Sequence, residues 1–181
     1  MRTDRLLLTG AAAGPLFVLV VLVPTLHHGR SPALSPSSWM QAVTFLVCGA
    51  LSVLLAAGLG RGPGPAFIAL WGVSLIGAGV FPANTTATYP GSGVNGLLNI
   101  LFSLTAVLAV AGALITLRHT GGPAWRRLSL FALVAYALCT ALALPAAALL
   151  TWWTWLTALA VHALRAVRDP AVEGRGATVG A

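Results

Sequence analysis

Residues 128–164 read LSLFALVAYALCTALALPAAALLTWWTWLTALAVHAL, 37 positions in a row without a charged side chain. At 1.5 Å per residue a single helix of that length would measure about 55 Å, against roughly 30 Å of hydrocarbon in a bilayer. The stretch therefore either overshoots a membrane or doubles back inside it. As a hairpin it supplies two spans, 128–146 and 150–165, turning near Pro145 to Thr151. The choice sets the number of crossings for the whole chain.

Working outward, the remaining charges bound three more uncharged stretches, Leu6–Gly29, Ser31–Gly60 and Gly62–Leu117. The first gives a span at 6–26, and the second gives one at 39–59 after the polar SPALSPSS. The third is interrupted by PANTTATYPGSG, whose prolines and Gly/Ser cluster do not suit lipid-exposed helix. It splits into spans at 65–81 and 94–117. With six spans and the N-terminus inside, Arg2, Arg5, Arg61, Arg118, Arg126, Arg127, Arg165, Arg168 and Arg175 are cytoplasmic. Arg30 alone is outside, nine against one; five spans would give six against four. Cytoplasmic loops concentrate Arg and Lys, so six is the better solution. The expected fold is all-α and integral to the membrane. It is a six-transmembrane-helix bundle in one domain, 1–168, with both termini cytoplasmic and a disordered tail at 169–181. Trp39, Trp152, Trp153 and Trp155 are expected at the outer interface and Trp125 at the inner one, as aromatic belts.

Composition supports the same class. The chain has 181 residues, of which 10 are arginine, none is lysine and 3 are acidic, with 58% hydrophobic residues. Its mean hydropathy is +0.92. An average soluble domain is about a quarter charged, so this chain lacks the charge to cover a water-facing surface. That excludes a cytosolic enzyme, a disordered chain and, despite a pI near 11.4, a nucleic-acid binder. The lysine-free, Ala- and Arg-rich usage fits a high-GC bacterium and a multi-pass protein of its plasma membrane. Cys48 and Cys139 fall in apolar runs and read as small packing residues. Gly10 and Gly14 form a GxxxG, a spacing that lets helices approach closely. Gly64-Pro65-Ala66-Phe67 and Gly122-Pro123-Ala124-Trp125 echo each other at the starts of two spans.

The acids are Asp4, Asp169 and Glu173, all in the tails. With no carboxylate in a span, the usual parts for a proton relay, a carboxylate-bound metal or paired acid/base catalysis are missing. No catalytic residue, metal or cofactor is assigned. His27 and His28 sit at the outer end of span one, His119 and His162 on the cytoplasmic side. Adjacent histidines on a helix point about 100° apart and make a poor chelating pair. Polar residues gather in one place, the outer-facing segment 79–99. Asn95 and Asn99, at i,i+4, share a helical face. They read either as amides that cross-link helices, or, with Asn84, Tyr89, His27, His28 and Arg30, as the wall of an outer ligand pocket.

Once these residues are laid out, the chain resembles a bacterial membrane family of unknown function, domain of unknown function 998. The likeness rests on the early Gly14-Pro15-Leu16-Phe17, on Trp39-Met40-Gln41, and on Ala57-Gly58-Leu59. Its most specific part is Gly79-Val80-Phe81-Pro82 followed by Asn95-Gly96-Leu97-Leu98-Asn99. The resemblance implies a six-helix fold from about Gly14 to Arg168 and no assigned reaction. It also implies an aspartate and a His-x-x-x-His pair at positions that here are Asn84, Asn95 and Asn99. Amides keep hydrogen bonding there and lose acid/base capacity. The reading expects a non-catalytic protein surrounded by membrane lipids, binding a lipid-like or apolar small molecule or a membrane protein partner. The alternatives are an enzyme acting on a lipid or isoprenoid, and a small transporter or exporter subunit.

Overall fold

Prolines mark three of the helix starts. The computed structural model describes residues 2–17, 19–20, 39–81, 93–142 and 144–168. Among them are α1 (Arg2–Ala11), α2 (Trp39–Leu59), α3 (Pro63–Val80), α4 (Gly93–Leu117), α5 (Pro123–Ala141) and α6 (Pro145–Arg168). A first-turn N–H has no intrahelical acceptor in any case, so a proline there forfeits nothing. The two Gly-Pro echoes do mark helix starts, α3 and α5. Gly14-Pro15 acts differently. Pro15 has no N–H for the Ala11 carbonyl, and its ring crowds that carbonyl. The helix loosens at this point: Ala12 N–H bonds Thr9 O at 3.3 Å, and regular helix resumes over 13–17.

Four segments are long and apolar enough to cross a membrane: Ala42–Leu59, Pro63–Val80, Gly93–Leu117 and Ala147–Val167. The first helix contributes the shorter apolar run Arg5–Phe17. α5 carries Arg126 and Arg127 in its first turn, so its apolar part, from Leu128 to Ala141, covers only about 21 Å at 1.5 Å per residue. The outer shell is apolar as well: Leu97, Leu101, Leu104 and Leu108 on α4, and Phe131 and Val134 on α5, are all exposed. No soluble monomer presents apolar surface on that scale. This is a multi-pass membrane bundle.

Among the described residues each helix runs antiparallel to the next, as pairs such as Gly10–Leu55 with Gly58–Leu7 and Gly64–Leu117 with Gly77–Phe102 show, and the ring closes where α6 packs on α1. Small residues set the spacing on one side. Gly49 and Gly72 face each other across α2 and α3, and a Cβ on either would lie 2.6 Å from the other's carbonyl oxygen. Gly10 and Gly14 do not form one seam: Gly10 meets Leu55 of α2, whereas Gly14 meets Trp153 and Thr157 of α6. Gly58 against Leu6 and Leu7, Gly64 against Leu117, and Trp125 against Leu117 bring one set of helix ends together. Arg5, Arg61, Arg118, Arg126, Arg127 and Arg165 therefore all lie at one end of the bundle.

Two expectations are corrected. The break in the 128–164 stretch falls at 142–144, where Leu144 N–H bonds Cys139 O at 2.8 Å. Pro145 opens α6 instead of closing α5, and the Ala/Leu run after it is good helix. This shift carries the tryptophans inward. Trp152, Trp153 and Trp155 are at most 2% exposed and form the centre of the core, where a belt would have left them at an interface. Trp71 meets Trp152 edge-on at 5.5 Å and Trp153 at 6.0 Å, while Trp153 stacks on Phe17 at 5.2 Å. Trp155 stacks on Trp125 at 5.8 Å, and Trp125 on His162 at 5.0 Å. The aromatic column runs from mid-bundle to the arginine end. Trp39 belongs to the first turn of α2; the tail 169–181 lies outside the described residues.

Candidate functional site

Asn99 shows what one of the amides does. Its Nδ2 donates to Phe81 O at 2.7 Å and to Ala78 O at 3.2 Å, at the end of α3. The residue four on from Ala78 is Pro82, which has no N–H to offer that carbonyl. Asn99 supplies the missing donor from the neighbouring helix, where an unsatisfied group in hydrocarbon would cost several kcal/mol. Asn95 shares its helical face but lies one turn nearer the helix start, past the end of α3, and is exposed. The structure thus separates the pair: Asn99 links α4 to α3, and Asn95 does not turn into the bundle as expected. Asn84, Tyr89, His27, His28 and Arg30 lie outside the described residues.

The cavity lies elsewhere and is partly open, with Ser103, Thr140 and Leu144 of its lining exposed. It measures about 290 Å³ and lies in the half of the bundle remote from the arginines, where α3, α4, α5 and α6 meet. Trp71, Leu75, Ala106 and Val107 make its apolar walls, and Ser74, Ser103, Tyr136 and Thr140 its polar points. Ser74 is 1% exposed, so its hydroxyl is far from bulk water. Thr140 Oγ1 donates to the Tyr136 backbone carbonyl at 2.8 Å. Among the described residues, no carboxylate, histidine, cysteine, lysine or arginine lines the space.

Above the cavity wall, the tryptophan cluster has its own polarity. The indole N–H groups of Trp71, Trp152 and Trp153 are buried with no hydrogen-bond acceptor, whereas Trp155 donates to Ser129 Oγ at 3.0 Å. The edge-on packing of Trp71 on the other two lets ring edges face ring π clouds, the favoured aromatic geometry. Sequence reasoning missed both the cluster and the cavity. Ser74, Ser103 and Tyr136 come from three helices, and no spacing along the chain links them. Among the described residues, no three His, Cys, Asp or Glu side chains converge.

A ring of antiparallel apolar helices around a tryptophan core, with an uncharged cavity toward one end, defines a polytopic α-helical membrane protein. The family model described as "Protein of unknown function (DUF998)" matches residues 11–167, and the chain belongs to that family. Neither a curated protein nor a solved structure matches it.

Proposed function

We propose that this protein binds an uncharged, lipid-like or otherwise apolar small molecule in the cavity between α3, α4, α5 and α6, without transforming it. The observation that carries the reading is the character of that wall: aromatic and aliphatic, with isolated hydroxyls and, among the described residues, no charged group. Ligand sites are mostly apolar with a few placed polar groups, and about 300 Å³ is the small end of their range. Such a wall suits a single prenyl or short acyl segment whose one oxygen meets Ser74 or Ser103. A charged ligand would lose its hydration there with nothing to replace it. The same reading places the protein in the cell membrane with the arginine end and both termini in the cytoplasm, on the strength of the positive-inside bias.

The test is native mass spectrometry of the protein in mild detergent, with Ala106→Leu as a cavity-filling variant and Ser74→Ala as a polar-point variant. Wild type should carry one small molecule per chain. Ala106→Leu should lose it while keeping its helical circular dichroism. Ser74→Ala should weaken binding by about three- to tenfold, one net hydrogen bond. A wild type that stays empty after saturation with a membrane lipid extract, or an Ala106→Leu variant that retains the same molecule, would overturn the reading.

A further inference from the structure

A second, larger depression lies on the outside of the bundle at the arginine end. α6 forms its floor, with Gly14 and Pro15 of the helical stretch 13–17 on one side and Trp125 and Leu128 of α5 on the other. It measures about 590 Å³ and adjoins, across Leu128, Thr154 and Ala158, a furrow of about 340 Å³ between α5 and α6. Together they follow α6 from Arg165 to Leu150, about 22 Å at 1.5 Å per residue.

The two ends of this groove differ in chemistry. Arg165 is exposed and His162 half-buried at one end, and no acidic side chain lines the wall among the described residues. Stacking on Trp125, with 9° between the ring planes, holds the His162 imidazole in place beside the arginine. Further along, the wall is effectively apolar. Thr157 bonds Trp153 O at 2.8 Å and Thr151 bonds Ala147 O at 2.9 Å, so both hydroxyls are satisfied within their own helix. Thr154, exposed where the two parts meet, is the one further hydroxyl, and the remaining surface is Gly14, Pro15, Val161 and leucine, phenylalanine, alanine and tryptophan side chains. One leaflet's acyl chain covers half of a ~30 Å core, about 15 Å, and the groove exceeds that depth.

We infer that this groove seats an anionic phospholipid of the surrounding bilayer, its phosphate on Arg165 and His162 and one acyl chain along α6. The occupant follows from charge complementarity: a cationic head site with no counter-charge among the described residues of its wall, adjoining a furrow that extends it to acyl length. Basic pockets between transmembrane helices on the cytoplasmic side recognise anionic head groups in this way. The site is separate from the cavity between α3 and α6, and neither depends on the other.

The experiment is native mass spectrometry of the full chain in micelles doped with equal amounts of dioleoyl phosphatidylglycerol and dioleoyl phosphatidylcholine. Wild type should retain phosphatidylglycerol over phosphatidylcholine by about fivefold, the effect of one cation near an anionic surface. Arg165→Gln should bring the two lipids to parity, and Arg165→Lys should keep most of the preference. Arg126→Gln, an exposed cation at the same end but outside the groove, should leave it unchanged. Ala158→Phe, which fills the groove where its two parts join, should lower retention of both lipids while the melting curve stays cooperative. Equal retention of both lipids by wild type would overturn the inference in favour of ordinary boundary contact. A fall in Arg126→Gln as large as in Arg165→Gln would overturn it in favour of diffuse charge. The cavity-filling Ala106→Leu should keep the wild-type preference, and losing it would show that the groove is no site of its own.

Discussion

An amide and an indole illustrate how polar groups are settled in this apolar protein. Asn99 answers two carbonyls at the end of α3, one of them deprived of its usual donor by Pro82, whereas Asn95 is exposed a turn away. Asn99→Ala should therefore cost about 1–2 kcal/mol of stability, and Asn95→Ala less than about 0.5 kcal/mol. Thermal unfolding in detergent, followed by circular dichroism, reads both; equal losses would mean that the two bonds to α3 contribute nothing. The tryptophans allow a sharper comparison. Trp152 and Trp155 are both buried, but the Trp152 N–H has no acceptor while that of Trp155 holds Ser129, which is itself fully buried. Replacing either by Phe opens a similar void, so the cavity costs nearly cancel. Trp155→Phe also strands the Ser129 hydroxyl and should cost about 1–2 kcal/mol more than Trp152→Phe. In a Ser129→Ala background that excess should disappear, and its persistence would remove the hydrogen bond as the cause.

At the scale of elements, the bundle is packed in two manners. α2, α3 and α4 approach through small residues, and α5 is held more loosely, by Trp125 and Trp155 rather than by backbone contact. Gly49→Ala drives a Cβ to 2.6 Å from a carbonyl oxygen, which no side-chain rotation relieves. It should cost about 1–3 kcal/mol, the range for overpacking a tight core. Gly122 has φ −66°, and a methyl group added there would meet nothing within 4 Å, so it should accept Ala within about 0.5 kcal/mol. Chemical unfolding in mixed micelles compares them, and a neutral Gly49→Ala would mean that α2 and α3 can move apart freely. The helices themselves were legible in the chain because charge is so scarce that each arginine bounds an apolar run. The hairpin at 142–144 was legible only as a hairpin. A proline between two apolar runs fits either side of a turn, and only the packing shows that Pro145 starts α6. Tryptophan is equally ambiguous, since the same side chain serves a membrane interface and a buried core. The cavity left no trace because its hydroxyls sit on separate helices, each ordinary in its own surroundings.

For the whole molecule, the loosely held α5 and the cavity belong together. The space lies between the closely packed α3 and α4 on one side and α5 and the start of α6 on the other, away from the Gly49–Gly72 contact. Polarity is distributed along the bundle axis in the same sense: the cavity occupies the end without arginines, and Arg5, Arg61, Arg118, Arg126, Arg127 and Arg165 cluster at the other. On the proposed orientation, with this cluster on the cytoplasmic side, the cavity should face the outer leaflet. Single-cysteine labelling in intact cells with an impermeant maleimide tests this, after replacing Cys48 and Cys139 by Ala. Arg61→Cys and Thr120→Cys, both exposed at the arginine end, should label only after the cells are permeabilised. Val94→Cys, exposed at the start of α4 at the opposite end, should label in intact cells. Labelling of Arg61→Cys from outside with protection of Val94→Cys would invert the molecule and turn its cavity toward the inner leaflet. Labelling of both from outside would contradict the antiparallel order of α2, α3 and α4 that places them at opposite ends.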